Sequence, residues 1–580
     1  MPEHTPPRHL AHWPPGVPVH LETPAHHLFR NVELAAERYP DKPLFIFGDT
    51  PLSHAQFRAD CEHLAGHLQQ VCGVQRGDRV LLCMQNSPQF AIAYHAILRA
   101  DAVVVPVNPM NLTGELRHLV DDAGAQVICL AQELMPQVRP LLDEGHATGT
   151  GLRHAVVAAY SDHLGSSDDG TLPEFVTAAA MPVTAPGAIA WREALAARRR
   201  PAPMQAGPDD LAVLPYTSGT TSQPKGCRHS HRSVMVNTVT RGVWMGSGAD
   251  SVQLAVLPFF HVTGMQNAMN GTIHLGATAV ILPRWDREAA LRAIERHRVT
   301  AAQLISTMVV DLLTHPRIES ADLSSLASIG GGGAAMPEAV AAKLKALTGL
   351  DYIEGYGMSE TMAATHINPL HRPKRQCLGI PIFDVDARVV DPVTFAELPC
   401  DEVGEIIVHG PQVMQGYWRN PQADAESFVH LDGKRFLRTG DLARVDADGY
   451  FHMVDRLKRM INASGFKVWP AEVEALMYAH PAIQEVCVIA AHDARRGETV
   501  QAVVVLRPEH RGRVSEAELV DWAHTQMAAY KSPRIVTFTE RLPKSGAGKI
   551  LWRELQQIEQ QKQQQEQQHR AAPPTSPPPA

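Results

Sequence analysis

The sequence lacks any run of the roughly 18–20 apolar residues that a bilayer-spanning helix requires, which leaves only peripheral membrane contact open. It also lacks the charged-then-apolar opening of a secretory leader, since it starts Met1-Pro-Glu-His-Thr-Pro-Pro. Cysteine is scattered, at 61, 72, 83, 129, 227, 377, 400 and 487, with no C-x-x-C pair. Reduced thiols and a cytoplasmic location are therefore expected. An excess of basic charge is missing too: the formal net charge is −8, which argues against a general nucleic-acid binder. The short cluster Arg198-Arg-Arg200 reads as a solvated loop. Histidine is abundant, at 30 residues, but His229-Ser-His231 has no third ligand nearby and does not read as a zinc site.

Three familiar motifs fail as well. A Walker loop, G-x-x-x-x-G-K-[ST], counted from Gly219 meets Pro224 at its second glycine, and Lys225 is followed by Gly226 rather than a hydroxyl residue. No G-x-G-x-x-G follows an expected strand, which weakens a dinucleotide reading. The nucleophile elbow that Gly357-Met-Ser359 begins has Thr361 where glycine is required, so a serine hydrolase is disfavoured.

What is present is Tyr216-Thr-Ser-Gly-Thr-Thr-Ser-Gln-Pro-Lys-Gly226, directly after the apolar run Leu211–Pro215, which reads as a short buried strand. Its hydroxyls and glycines can aim many N–H and O–H donors at one anion, and Lys225 adds a mobile positive charge. A polyphosphate requires that chemistry. Downstream stand Asp351-Tyr-Ile-Glu-Gly-Tyr-Gly-Met-Ser-Glu-Thr361, Arg438-Thr-Gly-Asp-Leu442, Asp455-Arg-Leu-Lys-Arg-Met-Ile461 and Leu542-Pro-Lys-Ser-Gly-Ala-Gly-Lys-Ile550.

In order and spacing these five segments resemble the adenylate-forming, AMP-binding superfamily, in its acyl-CoA synthetase or fatty-acid–CoA ligase branch, over roughly residues 25–555. The one departure in the phosphate loop is Ser222, where that family usually has glycine. The resemblance implies ATP, Mg²⁺ and coenzyme A. It places Thr217, Ser218, Gly219, Thr220, Thr221 and Lys225 on phosphates, Gly333 and Ala334 at adenine, and Tyr356 and Gly357 against the purine. Ser359 would face the α-phosphate, Glu360 would hold Mg²⁺, Asp441 would accept from the ribose hydroxyls, and Arg456 would reach ribose or phosphate. Lys549 is the expected catalytic lysine, with Lys458 at a hinge and Gly465 and Lys467 on the thiol side. His261, in Leu257-Pro-Phe-Phe-His-Val-Thr-Gly264, stands at a gate position. The small C-terminal domain of that family turns about the hinge between its two half-reactions.

At 580 residues the chain is too long for a single core, and its 44% hydrophobic and 20% charged content is that of a globular enzyme. Apolar runs at Arg79–Cys83, Ala102–Pro106, Gln126–Leu130 and Ala277–Leu282 alternate with helical spacing at Asn31–Tyr39 and Leu52–Val71. This predicts an α/β protein: a large N-terminal domain of parallel sheets sandwiched with helices, a β-rich subdomain after Pro381, and a small hinged C-terminal α/β domain. Expected boundaries are 1–26 for a Pro- and His-rich extension, 27–455, 456–458 for the hinge, 459–555, and 556–580 for a Gln- and Pro-rich tail. Residues 161–209 read as a long surface excursion with one helix near Trp191–Arg199.

Substrate choice turns on the acyl pocket, expected at His261, Gly264, Met265, Gly331 and Gly332, the glycines leaving volume that a side chain would fill. With no acidic anchor for an amino group at 262–270, a medium- or long-chain fatty acid is expected. The alternatives are an aryl-acid CoA ligase, an enzyme loading a carrier protein in trans, and a silent binding relative.

Overall fold

The computed structural model describes residues 7–165, 172–217, 224–333, 335–463, 466–493, 497–544 and 550–571. The chain divides into two compact units. The first holds residues 1–388, 407–438 and 445–452; the second holds 389–406, 439–444 and 453–580.

The first unit is built on two large sheets. One has seven strands, in the order His229–Ser230, Leu211–Val213, Val103–Pro106, Arg79–Cys83, Val127–Ala131, His154–Ala158, Ala188–Ala190. All its pairings are parallel except that of His229–Ser230. The other has nine strands, parallel from Tyr352–Met358 across to Pro43–Phe47 and antiparallel at both margins.

Strand alternation decides which layer each side chain joins. Val80 and Leu82 point into the same core as Phe45, Phe57, Phe90 and Met235, so that core lies between the sheets. Leu81 and Cys83 point the opposite way, onto Leu116, Leu119 and Val138 of covering helices. On the nine-stranded sheet Ala279 and Ile281 face the shared core, while Val280 and Leu282 face an outer layer with Leu291, Ile294 and Leu344. Helix Pro88–Arg99 is buried at every position from Pro88 to Leu98. It starts on Ser87, whose side chain accepts from Phe90 N–H, with proline in the first turn.

The expected helix over Leu52–Val71 begins later than its spacing suggests. Thr50–Ser53 is a strand that pairs back on Pro43–Phe47, and the helix runs His54–Gln70. The cause is the two-residue turn Gly48-Asp49, with φ +51° and +61°, which closes a hairpin. The 161–209 segment is likewise more than a surface excursion. Ala188–Ala190 adds a parallel strand to the sheet margin, and Trp191 is buried in the shared core.

The second unit contains a sheet of Ile461–Ala463, Phe466–Val468, Ile483–Asp493, Gly497–Leu506 and Ile535–Phe538. Alternation again separates its faces. Val486 and Val488 meet Val473, Met477 and Leu519 of two helices; Cys487 and Ile489 meet Leu542 and Trp552 at the start of helix Trp552–Ala571.

Candidate active site

In the first unit, the phosphate-loop segment has a fixed stem. Tyr216–Thr217 pairs antiparallel with Lys225–Gly226, Thr217 opposite Lys225. Ser218, Gly219, Thr220, Thr221 and Ser222 lie outside the described residues, as do Ala334, Gly465 and Lys549. The Tyr216 hydroxyl donates to Asp122 Oδ2 at 2.5 Å, and Trp418 N–H donates to the Gly226 carbonyl at 2.7 Å. A Cβ on Gly226 would lie 3.0 Å from Leu214 and 3.1 Å from the Tyr216 ring, so this glycine serves close packing.

Strand Tyr352–Met358 delivers the second motif and ends in the single turn Ser359–Thr361. Glu360 is 8% exposed and accepts a hydrogen bond from the Tyr417 hydroxyl at 3.0 Å. Lys225 Nζ lies 5.1 Å from the centre of the same Tyr417 ring. Two motifs more than a hundred residues apart thus meet on one tyrosine. The chain around Tyr417 is sewn to both. Met414 N–H donates to the Glu360 carbonyl at 2.8 Å, and Arg228 and Gln415 exchange backbone bonds with Gly416 and Arg228 at 2.9 Å.

His229 is fully buried and its Nε2 lies 2.8 Å from the Ser359 carbonyl. Burial pulls the imidazole pKa down to about 4, so at neutral pH it is uncharged and donates through Nε2–H. Beyond Glu360, Met362 and Ala363 take φ of +47° and +86°, unusual for residues with side chains. Asn237 Nδ2 holds this strained turn through the Met362 and Ala364 carbonyls, at 2.9 and 3.1 Å. Tyr356 is half-buried with its ring 5.6 Å from that of His366. At Gly357 a Cβ would stand 1.7 Å from the Ala363 carbonyl, which excludes any side chain.

The acyl-pocket glycines do not leave open volume. A Cβ on Gly264 would lie 2.3 Å from the Pro258 carbonyl. On Gly331 it would lie 2.3 Å from both the Leu304 carbonyl and the Tyr352 hydroxyl, and on Gly332 2.4 Å from the Gly355 carbonyl. Gly331 and Gly332 lie in the sheet strand Ser328–Gly332 rather than a loose turn, and Gly264 ends the helical turn Val262–Gly264 against the 257–258 backbone. Gly333, at φ +86° with nothing within 4 Å, is the glycine needed for its backbone conformation. Met265 is wholly buried in the shared core, and His261 is exposed at the start of the next helix.

In the second unit Asp441 is 1% exposed and forms an ion pair with Arg456, Nε lying 2.8 Å from Oδ1, so the two expected ribose-side residues hold each other. The turn before it is fixed by Thr439 Oγ1 donating to the Ile406 carbonyl at 2.7 Å and Gly440 N–H donating to Glu405 at 3.1 Å. The hinge motif is anchored by a buried charge network that its spacing did not reveal. Asp455 accepts from Arg456 N–H at 2.6 Å and Ala471 N–H at 2.7 Å. Arg459 bonds Glu474, and Glu474 accepts from Val488 N–H at 2.8 Å. Burial raises the pKa of both Asp455 and Glu474. Lys458 lies in the turn Leu457–Arg459 and Lys467 in the strand Phe466–Val468.

The structure also supplies residues that sequence reading missed: Tyr417, Asn237, Asp122, and His229 as a backbone donor. The only trace of Tyr417 in the sequence is an unremarked Gly416-Tyr-Trp418.

A phosphate-loop stem, a buried carboxylate at a strand end and a separate small α/β unit define a two-part nucleotide enzyme. The sequence profile of the AMP-binding enzyme family matches residues 32–418, and that of the AMP-binding enzyme C-terminal domain matches 472–549. The chain belongs to this family. It is 35% identical to a long-chain-fatty-acid–CoA ligase of Bacillus subtilis (strain 168) over 565 residues, covering 95% of this chain and 98% of that one. It is 36% identical to a feruloyl-CoA synthase of an Amycolatopsis species over 514 residues, covering 88% and 94%. Among solved structures it resembles ATP-bound MatB from Rhodopseudomonas palustris, with TM-score 0.78 and 28% identity over 91% of this chain and 99% of that one. Among the described residues no helix is long and apolar enough to cross a membrane.

Proposed function

We propose that this protein is an ATP-dependent, AMP-forming acyl-CoA ligase acting on a medium- or long-chain fatty acid. The observation that carries this reading is the convergence of Lys225 and Glu360 on Tyr417, which brings a cation and a hard oxygen donor to one side chain. Mg²⁺ is ordinarily held by one or two carboxylates together with substrate phosphates, and Glu360 fits that demand. When bound, the ion would neutralise phosphate charge.

A carboxylate is a poor electrophile because its leaving group would be oxide. In the first half-reaction a carboxylate oxygen attacks the α-phosphorus of ATP, and the bond to the bridging oxygen breaks. Pyrophosphate leaves and a mixed anhydride with AMP remains. Two anions must approach, so the site has to supply positive charge and fixed donors where the charge moves. We assign Lys225 and the 217–225 loop to the departing phosphates, Ser359 to the α-phosphate and Lys549 to the reacting carboxylate. Gly333, Ala334, Tyr356 and Gly357 are assigned to adenine, and Asp441 and Arg456 to ribose. In the second half-reaction a thiolate of coenzyme A attacks the acyl carbonyl and AMP departs, served by Lys458, Gly465 and Lys467. The site lies in the cytoplasm in this reading.

Likeness to a long-chain-fatty-acid–CoA ligase supports the fatty acid, and likeness to a feruloyl-CoA synthase supports an aryl acid as the second reading. Pyrophosphate release from ATP, measured with a panel of fatty and aryl acids with and without coenzyme A, tests both. Acid-dependent release that ends in an acyl-CoA thioester is expected. Release that never yields a thioester would favour a carrier-loading enzyme, and no release with any acid would favour a silent relative.

A further inference from the structure

The stretch before the first long helix is bound closely to the first unit. Trp13 is half-buried, its ring 4.9 Å from that of Trp244 and 5.6 Å from that of Phe383, both edge-on. Its indole N–H donates to the Val17 carbonyl at 3.0 Å. Trp13, Val17 and Leu21 all pack on one apolar cluster that includes Trp244, Ile380, Ile382, Phe383 and Tyr450. Polar contacts fix the segment on either side. His12 Nδ1 accepts from Arg372 Nη1 at 3.1 Å, and its Nε2 lies 3.3 Å from Asp448. His20 Nδ1 lies 2.6 Å from Asp384, and Leu21 N–H donates to the same carboxylate at 3.0 Å. At Gly449 the two backbones touch: a Cβ there would stand 2.6 Å from His9 N.

The cluster under this segment is the margin of the nine-stranded sheet that carries Tyr356. Strand Ile380–Pro381 pairs with Ala363–Ile367, which pairs with Tyr352–Met358, His366 directly opposite Tyr356. Phe451 continues the margin, its N–H donating to the Gly379 carbonyl at 3.0 Å. From there the rings run inward in sequence. Phe451 lies 4.5 Å from His366, and His366 lies 5.6 Å from Tyr356. His366 is wholly buried, and a close-packed interior passes a displacement on rather than absorbing it. Trp244 makes a second tie, its indole N–H donating at 3.3 Å to the carbonyl of Asn368, just past the strand that holds His366.

We propose that residues 8–26 are a positioning strap for the nucleotide site, anchored by Trp13. By covering the sheet margin the strap fixes His366 and, through it, the ring of Tyr356, a role that rests on the ligase reading's assignment of Tyr356 to adenine. Trp13 itself touches no substrate. Because coupling between two sites is reciprocal, bound ATP must tighten the strap as much as the strap tightens ATP.

Both directions are measured on the full-length protein with ATP and Mg²⁺ and no acid present. ATP should slow hydrogen exchange in residues 8–26 more than in helix Arg287–His297 on the outer layer of the same unit. By calorimetry, Trp13→Ala should weaken ATP binding about fivefold or more, while KM for the acid and for coenzyme A moves less than about twofold. Trp13→Phe, which keeps a ring against Trp244 and Phe383, should restore the affinity. Unchanged ATP affinity in Trp13→Ala, or protection of residues 8–26 no greater than that of helix Arg287–His297, would overturn the strap and leave a packing segment. If Trp13→Ala does not fold, wild-type exchange and the ATP affinity of His12→Ala decide. ATP binding without pyrophosphate release for any acid would defeat the ligase reading and leave the coupling standing.

Discussion

The two units hold their site residues by different physics. In the first, Lys225, Ser359 and Glu360 are placed by backbone: a two-residue ladder, a strand end, and the peptide bonds of 414–418 laid against 226–228. Neutral buried donors, His229 and Asn237, tie off the remaining carbonyls. In the second, Asp441 and the hinge motif are placed by charge, through Arg456–Asp441 and the network of Asp455, Arg459 and Glu474. Backbone placement survives changes in ionisation, whereas a buried ion pair fails badly once one partner is removed.

The largest expected contrast comes from pH. In the first unit burial lowers His54, His95 and His229 to about 4, and His231 and His366 to about 3. Their folded pKa lies below the ordinary value of 6.5, so between pH 6.5 and 4 the unfolded chain takes up protons that the folded chain refuses. Stability present above pH 6.5 is therefore lost as pH falls, on the order of 10 kcal/mol for the group together. Asp455 and Glu474 shift the other way: raised by burial, they add no such loss on acidification. Urea unfolding followed by segment-resolved hydrogen exchange at pH 7 and pH 5 should show the first unit weakening first. Equal weakening of both units would break the contrast.

Arg459→Met comes next. It strands two buried carboxylates and should cost about 3–5 kcal/mol, seen as a lower melting temperature with the second unit opening early. A change below about 1 kcal/mol would show that the network is solvated. Lys549→Ala should slow adenylate formation by about 10²–10³-fold while sparing thioester formation from supplied acyl-adenylate. Equal loss in both steps would refute that division of labour.

Tyr417→Phe sharpens the comparison within the first unit. It keeps the ring beside Lys225 and removes the hydroxyl from Glu360, so kcat/KM for ATP should fall on the order of tenfold with little change in melting temperature. A matching fall in stability would make Tyr417 a packing residue only. Smallest is Ser222→Gly, expected to change KM for ATP by about threefold or less, since glycine relieves only a backbone preference.

Much was legible because it is local. The apolar runs Arg79–Cys83 and Ala102–Pro106 announce buried strands, and each motif is a contiguous run. The hairpin at Thr50–Ser53 was missed because its helical spacing starts at Leu52, although Gly48-Asp49 carried the turn signal. The glycines at 264, 331 and 332 were misread because a missing side chain looks the same in sequence whether it leaves room or admits another chain.

The sequence by itself determined the class of layers, the five motifs and hence the nucleotide chemistry, since each rests on neighbours within a dozen residues. Only the tertiary structure decided that Tyr417 joins Lys225 to Glu360 and that Asp441 and Arg456 hold each other. Those contacts depend on pairing across a sheet or between helices, where partners are chosen by register and burial rather than by position along the chain.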